Sequence, residues 1–64
     1  MEPLLFIYNP TAGKGQIVSE LSPVLDIFTK YGWLVTAYPT QCKGDAVQAA
    51  RILSPGFQRV ICAG

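Results

Sequence analysis

Apolar residues fall in short blocks along this chain, and the blocks alternate between two periods. Leu4 to Tyr8 is an unbroken apolar run with aromatic and β-branched members, stopped by Asn9-Pro10, and reads as a buried strand ending at a turn. Beyond Gly13-Lys14-Gly15, the residues Ile17, Leu21, Val24, Leu25 and Phe28 recur at the spacing of one helical face. Pro23 interrupts that face, and Ser22 is placed to cap a fresh start, so the pattern predicts a helix that kinks or begins twice before Gly32 ends it. Trp33 to Tyr38 is again aromatic and β-branched and stops at Pro39, which predicts a second strand. After a loop over Thr40–Gly44, Asp45 followed by Gln48 resembles a capping box. Ala46, Ala49, Ala50 and Leu53 share a face, so a short second helix is expected to run to about Leu53, where Ser54-Pro55-Gly56 breaks it. Val60 to Ala63 forms a third apolar strand that leads to Gly64.

The order β-α-β-α-β predicts an α/β fold: a portion of a three-layer, Rossmann-like parallel sheet with right-handed crossovers. Small residues on the second helical face allow close packing on that sheet. In such sheets ligands bind beyond the carboxyl ends of the strands, here Asn9–Gly15, Pro39–Gly44 and Gly64.

Composition changes the picture in one respect. Only 14% of the residues are Asp, Glu, Lys or Arg, against roughly 25% in an average domain, so too little charge is present to solvate every face. A chain of 64 residues buries only about 60% of its unfolded surface. Both facts suit a segment covered by the rest of a larger protein, and exposed sheet edges would favour self-association of the short chain. The net charge of +1, with Lys14, Lys30, Lys43, Arg51 and Arg59 scattered along the chain, provides no basic field for nucleic acid. Cys42 and Cys62 form no CxxC pair and there is no His to join them, which suggests reduced thiols and a cytoplasmic setting. Met1 to Tyr8 has neither the basic flank of a leader nor the length of a membrane span, so any membrane contact is expected to be peripheral.

The first loop carries the most chemistry. In Asn9-Pro10-Thr11-Ala12-Gly13-Lys14-Gly15 a strand passes through a turn with two glycines into a helix start, which gathers backbone N–H groups and a positive dipole end. Asn9 can fold its side chain over the turn, Pro10 stiffens it, Gly13 and Gly15 permit positive φ or close approach of a phosphate, Thr11 adds a hydroxyl and Lys14 a point charge. An ordinary βα connection carries the same punctuation, so composition alone leaves both readings open. A Walker loop would need Gly and Ser or Thr where the chain has Tyr8 and Gly15, and Gln16 to Val18 supply no third glycine for a dinucleotide fingerprint. Thr40 could hydrogen-bond a ribose or phosphate, or simply be solvated; Asp45 reads first as a helix cap. Phe6, Tyr8, Phe28, Tyr31, Trp33, Tyr38 and Phe57 lie mostly at core spacing and form no stacking platform for bases.

Four features in order resemble the catalytic domain of the diacylglycerol kinase and sphingosine kinase superfamily, specifically its bacterial soluble lipid kinases. They are Asn-Pro-Thr-Ala-Gly-Lys at 9–14 after a strand, Ala-Tyr-Pro-Thr at 37–40, Gly44-Asp45-Ala46, and the strand Val60-Ile61-Cys62-Ala63-Gly64. The resemblance implies that residues 1–64 are the amino-terminal part of a nucleotide-binding kinase domain. The third strand would lead into Gly-Gly-Asp-Gly-Thr, with Gly64 as its first glycine, and a separate lipid-binding domain would follow. It also implies that Asn9, Pro10, Thr11, Ala12 and Gly13 cradle ATP phosphates, with Lys14 beside them and Thr40 and Gly64 contacting the nucleotide. Such enzymes use ATP and Mg²⁺ to phosphorylate a lipid hydroxyl, assisted by an acidic residue later in the chain. None of Glu2, Glu20, Asp26 or Asp45 suits that role, so the 64 residues alone are expected to be inactive. An NAD kinase-like enzyme is the alternative within the same fold, although the Asn-Pro-x-x-Gly-Lys loop favours the lipid branch. A non-catalytic nucleotide-binding or regulatory module is the alternative from another class.

Overall fold

Leu4, Leu5, Phe6 and Ile7 are each no more than 4% exposed, which requires cover on both faces of their strand and a partner on each edge. The computed structural model, which describes residues 1–63, supplies both. Strand β1 (Glu2–Tyr8) is followed by a 3₁₀ turn (Ala12–Gly15), helix α1 (Gln16–Lys30), strand β2 (Trp33–Pro39), helix α2 (Asp45–Leu53), a second 3₁₀ turn (Ser54–Gly56) and strand β3 (Arg59–Ala63). The three strands form one parallel sheet in the order β2-β1-β3.

The first crossover carries the chain from β1 to one side and the second returns it past β1 to the other. Crossovers of one hand then put their helices on opposite faces. Side-chain alternation along β1 agrees. Phe6 stacks on Tyr8 and meets Phe28 of α1 at a ring-centroid distance of 6.0 Å. Leu5 and Ile7 pack with Ala49 of α2, flanked by Ala46, Ala50 and Leu53 and by Tyr38, Phe57 and Val60. The small alanine face lets α2 lie close to the sheet, as its sequence predicts.

Helix α1 is one element, neither restarted nor split at Pro23. A proline inside a helix removes one backbone bond and crowds the preceding turn, at about 3 kcal/mol. Ile17, Leu21, Val24, Leu25 and Phe28 are all half-buried on one face, and their cover on the sheet outweighs that penalty. Ser22 is therefore an exposed mid-helix residue rather than a cap. Gly32 at φ 92° closes the helix, its N–H donating to Thr29 O at 3.0 Å. The core assignment of Tyr31 is not met: it is 80% exposed, just past the end of α1.

Replacing Leu5, fully buried between the sheet and α2, with Ala is expected to cost about 2–5 kcal/mol of unfolding free energy in denaturant titrations. Ser22→Ala should stay within about 0.5 kcal/mol of the parent. A loss near 1 kcal/mol for Ser22→Ala, as for a helix cap, would contradict the single helix.

Candidate functional site

The strand ends are level. Tyr8 pairs in register with Pro39 of β2 and with Ala63 of β3, and two further bonds extend the ladder: Thr40 N–H to Tyr8 O at 2.8 Å and Asn9 N–H to Ala63 O at 3.2 Å. Asn9 and Thr40 therefore leave the sheet side by side.

Asn9 then organises the first turn. Its Oδ1 accepts from the Thr11 N–H at 3.0 Å and from the Thr11 hydroxyl at 2.8 Å, while Ala12 N–H donates to Asn9 O at 3.0 Å. A backbone N–H can only donate, so the atom facing it is the carboxamide oxygen, and the Thr11 hydroxyl must spend its proton on it too. Among the described residues the Asn9 Nδ2 amide has no partner, leaving two donors at the cleft. Past this turn the backbone runs left-handed through Gly13, Lys14 and Gly15, at φ 60°, 58° and 87°. Two of these are glycines, as such geometry favours; Lys14 bears a strain of about 1–2 kcal/mol.

Thr40 opens a second, tightly tied loop. Asp45 Oδ2 accepts from the Gln41 N–H at 2.7 Å and from the Tyr38 hydroxyl at 3.1 Å, and Asp45 N–H returns to Cys42 O at 3.1 Å. This replaces the predicted capping role. Gly44, left-handed at φ 86°, is the cap position, and the Asp45 side chain makes no cap bond because Tyr38 and Gln41 occupy it.

Two contiguous hollows lie between the loops. One, of about 530 Å³, is lined by Asn9, Pro10, Thr11, Thr40, Gln41, Cys42 and Lys43. The other, of about 220 Å³, reaches the strand ends at Tyr8, Cys62 and Ala63 and shares Asn9, Thr40, Cys42 and Lys43. The structure thus unites Asn9, Pro10, Thr11 and Thr40. Ala12 and Gly13 instead line a separate depression with Gln16, Ile17 and Glu20, so the amino end of α1 opens beside a carboxylate and away from Thr40. Lys14 lines none of these hollows, and Gly64 lies outside the described residues. Residue-by-residue reading missed Gln41, Cys42 and Lys43; their signal was position alone, at the carboxyl end of β2.

Donation to the Asp45 carboxylate is the chief reason the Tyr38 phenol is held above its ordinary value; lost hydration and the charges of Asp45 and Cys42 push the same way. A raised value favours the protonated phenol in the fold. Its stabilisation is complete below the unfolded value of about 10 and is lost as pH rises through the higher folded one. Phenolate absorbance should therefore show Tyr38, identified by difference from Tyr38→Phe, ionising at higher pH folded than denatured. Asp45→Asn should lower that midpoint, and an unchanged one would dismiss the bond.

A profile of the diacylglycerol kinase catalytic domain matches residues 3–64. Among curated relatives, a diacylglycerol kinase of Staphylococcus aureus (strain bovine RF122 / ET3-1) is 41% identical over 59 residues, covering 91% of this chain and 19% of its own length. Those of Staphylococcus carnosus (strain TM300) and Staphylococcus saprophyticus subsp. saprophyticus are 41% and 42% identical over the same shares. The chain spans about a fifth of the length of these relatives. With a parallel α/β sheet whose strand ends carry the Asn9 turn and the Thr40 loop, and a match over nearly all of its residues, this chain belongs to the diacylglycerol kinase catalytic domain family.

Proposed function

We propose that the chain forms part of the ATP-binding half of a kinase that transfers the γ-phosphoryl group of ATP to a lipid hydroxyl such as that of diacylglycerol. The observation that carries this reading is the single cleft in which the Asn9-braced turn and the Thr40 loop face each other. Its polar lining residues are neutral or cationic: the carboxamides Asn9 and Gln41, the hydroxyl residues Tyr8, Thr11 and Thr40, and Lys43, with no carboxylate among them. That donor set suits a polyphosphate. Asn9 and Thr11 hold the turn, Pro10 stiffens it, Ala12 and Gly13 shape its exit, and Thr40 presents a hydroxyl across the cleft.

The same residues do not suit Mg²⁺, which prefers carboxylate and phosphate oxygens. Asp45 is engaged by Tyr38 and Gln41, Asp26 pairs with Lys30 at 2.9 Å, Glu20 accepts from Gln16, and Glu2 sits at the amino end of β1. In the proposed reaction the ion that neutralises the phosphates and the base that assists the attacking hydroxyl belong to groups outside the described residues. The lipid would be reached by peripheral contact; among the described residues no helix is long and apolar enough to cross a membrane. The 64 residues alone would bind without catalysing, and their open edge strands β2 and β3 would promote self-association.

In the complete protein containing this chain, calorimetry should detect ATP binding that Asn9→Ala weakens about tenfold, or ~1.4 kcal/mol. Labelled γ-phosphate should pass to diacylglycerol in mixed micelles, with none transferred by the isolated 64 residues. Absence of ATP binding by the complete protein would defeat the proposal. For the isolated chain, sedimentation should show species larger than monomer, and a stable monomer would remove the edge-pairing element.

A further inference from the structure

Free cysteine is among the most buried of residue types, and its reactivity rather than its packing usually decides its role. Cys42 and Cys62 are both exposed and unbridged. They come from separate elements, a loop and the end of β3, yet both line the hollow of about 220 Å³ at the strand ends. Cys42 also lines the larger hollow, with Asn9, Thr11 and Thr40.

Both cysteines belong to the α2 side of the sheet. Ile7 is level with Tyr38 on one flank and with Cys62 on the other, and residues in register project to the same face. That face is the one α2 covers, since Ile7 packs with Ala49. Cys42 lies in the loop that leads into α2, and behind the Asp45 bond, lost hydration and the Asp45 charge, its charge adds to the rise of the Tyr38 phenol in the same row. Ala46, in the first turn of α2, lines the smaller hollow with both cysteines. The Cys42 backbone is anchored there, its carbonyl accepting from the Asp45 N–H at 3.1 Å.

We propose that Cys42 and Cys62 make this cleft a thiol-exchange site, at which a small disulfide adds in competition with the nucleotide. This rests on the ATP-binding reading above. A cysteine thiolate attacks one sulfur of the small disulfide, whose S–S bond breaks as a mixed disulfide forms on the protein; the departing thiolate takes up the proton that the cysteine released. Excess free thiol reverses the step. Exposure of both residues gives the reagent access. The added group is tethered to the wall of the two hollows, so adduct and nucleotide contend for one space. Occupancy of the site then follows the thiol redox state.

The test treats the complete protein containing this chain with oxidised glutathione, maps the adducts by peptide mass spectrometry, and measures ATP affinity before and after treatment. Adducts are expected on Cys42 and Cys62. ATP at about ten times its dissociation constant should slow their formation about tenfold, because only the free protein reacts. The modified protein should bind ATP about tenfold more weakly or worse, and excess reduced glutathione should restore the affinity. A Cys42→Ser/Cys62→Ser double variant is compared with itself: treatment should no longer change its ATP affinity, whatever the value beforehand. Should that variant fail to fold, as read by circular dichroism, protection of the two cysteines by ATP in the parent decides the matter. Absence of adducts on both cysteines, adducts that form equally fast with ATP bound, or a loss of affinity that persists in the double variant would each overturn the proposal. An untreated parent that binds no ATP would instead overturn the ATP-binding reading, and this competition with it.

Discussion

Strand β1 sits between two parallel partners, and its backbone groups are satisfied only when both are present. Its four central side chains are sealed by a helix on each face. Burial of a parallel strand is an all-or-none arrangement, since an unpaired amide in such a setting costs about 1–3 kcal/mol. Both crossovers must therefore close over β1, and once they do the register leaves little freedom at its carboxyl end. The pairing of Tyr8 with Pro39 and Ala63 brings the loops after β1 and β2 to one edge. The cleft is a consequence of that register.

Each loop is then stiffened by one acidic or amide side chain acting on backbone close by. Asn9 braces the turn that follows it, and Asp45 reaches back to Gln41 and across to Tyr38. Neither residue needs a long-range partner to do so, which allows the loops to be preformed on a small scaffold. Asp45 couples the core to the cleft: its Tyr38 contact belongs to the core side of the sheet, where Tyr38 packs near Leu5 and Ile7, while its Gln41 contact shapes the cleft.

Most of the fold was legible because its signals are local. The 3.6-residue spacing of Ile17 to Phe28, the β-branched blocks and the glycines at 32 and 44 each report on a neighbourhood of a few residues. The ambiguity at Pro23 came from a local penalty that only tertiary burial of the α1 face could outweigh. Asp45 was misassigned for the same reason: a capping box and an acceptor for Tyr38 look alike in sequence, and the choice depends on where β2 ends relative to α2. The Asn9 turn was legible down to its side-chain fold-back. That Ala12, Gly13 and Lys14 diverge from Thr40 was not, because three consecutive left-handed residues redirect the chain in a way no spacing rule encodes.

Those left-handed residues sharpen what a glycine-rich turn means here. A Cβ on Gly13 would meet Gln16 Cβ at 3.4 Å, an ordinary contact, and one on Gly15 would meet nothing within 4 Å. The constraint at both glycines is therefore conformational. Lys14 tolerates the same backbone region at a cost that its two glycine neighbours do not share. Its side chain lines neither hollow of the cleft. The chain direction it enforces carries α1 onto the Phe6 face, where Phe28 completes the burial of β1 on which the strand ends depend.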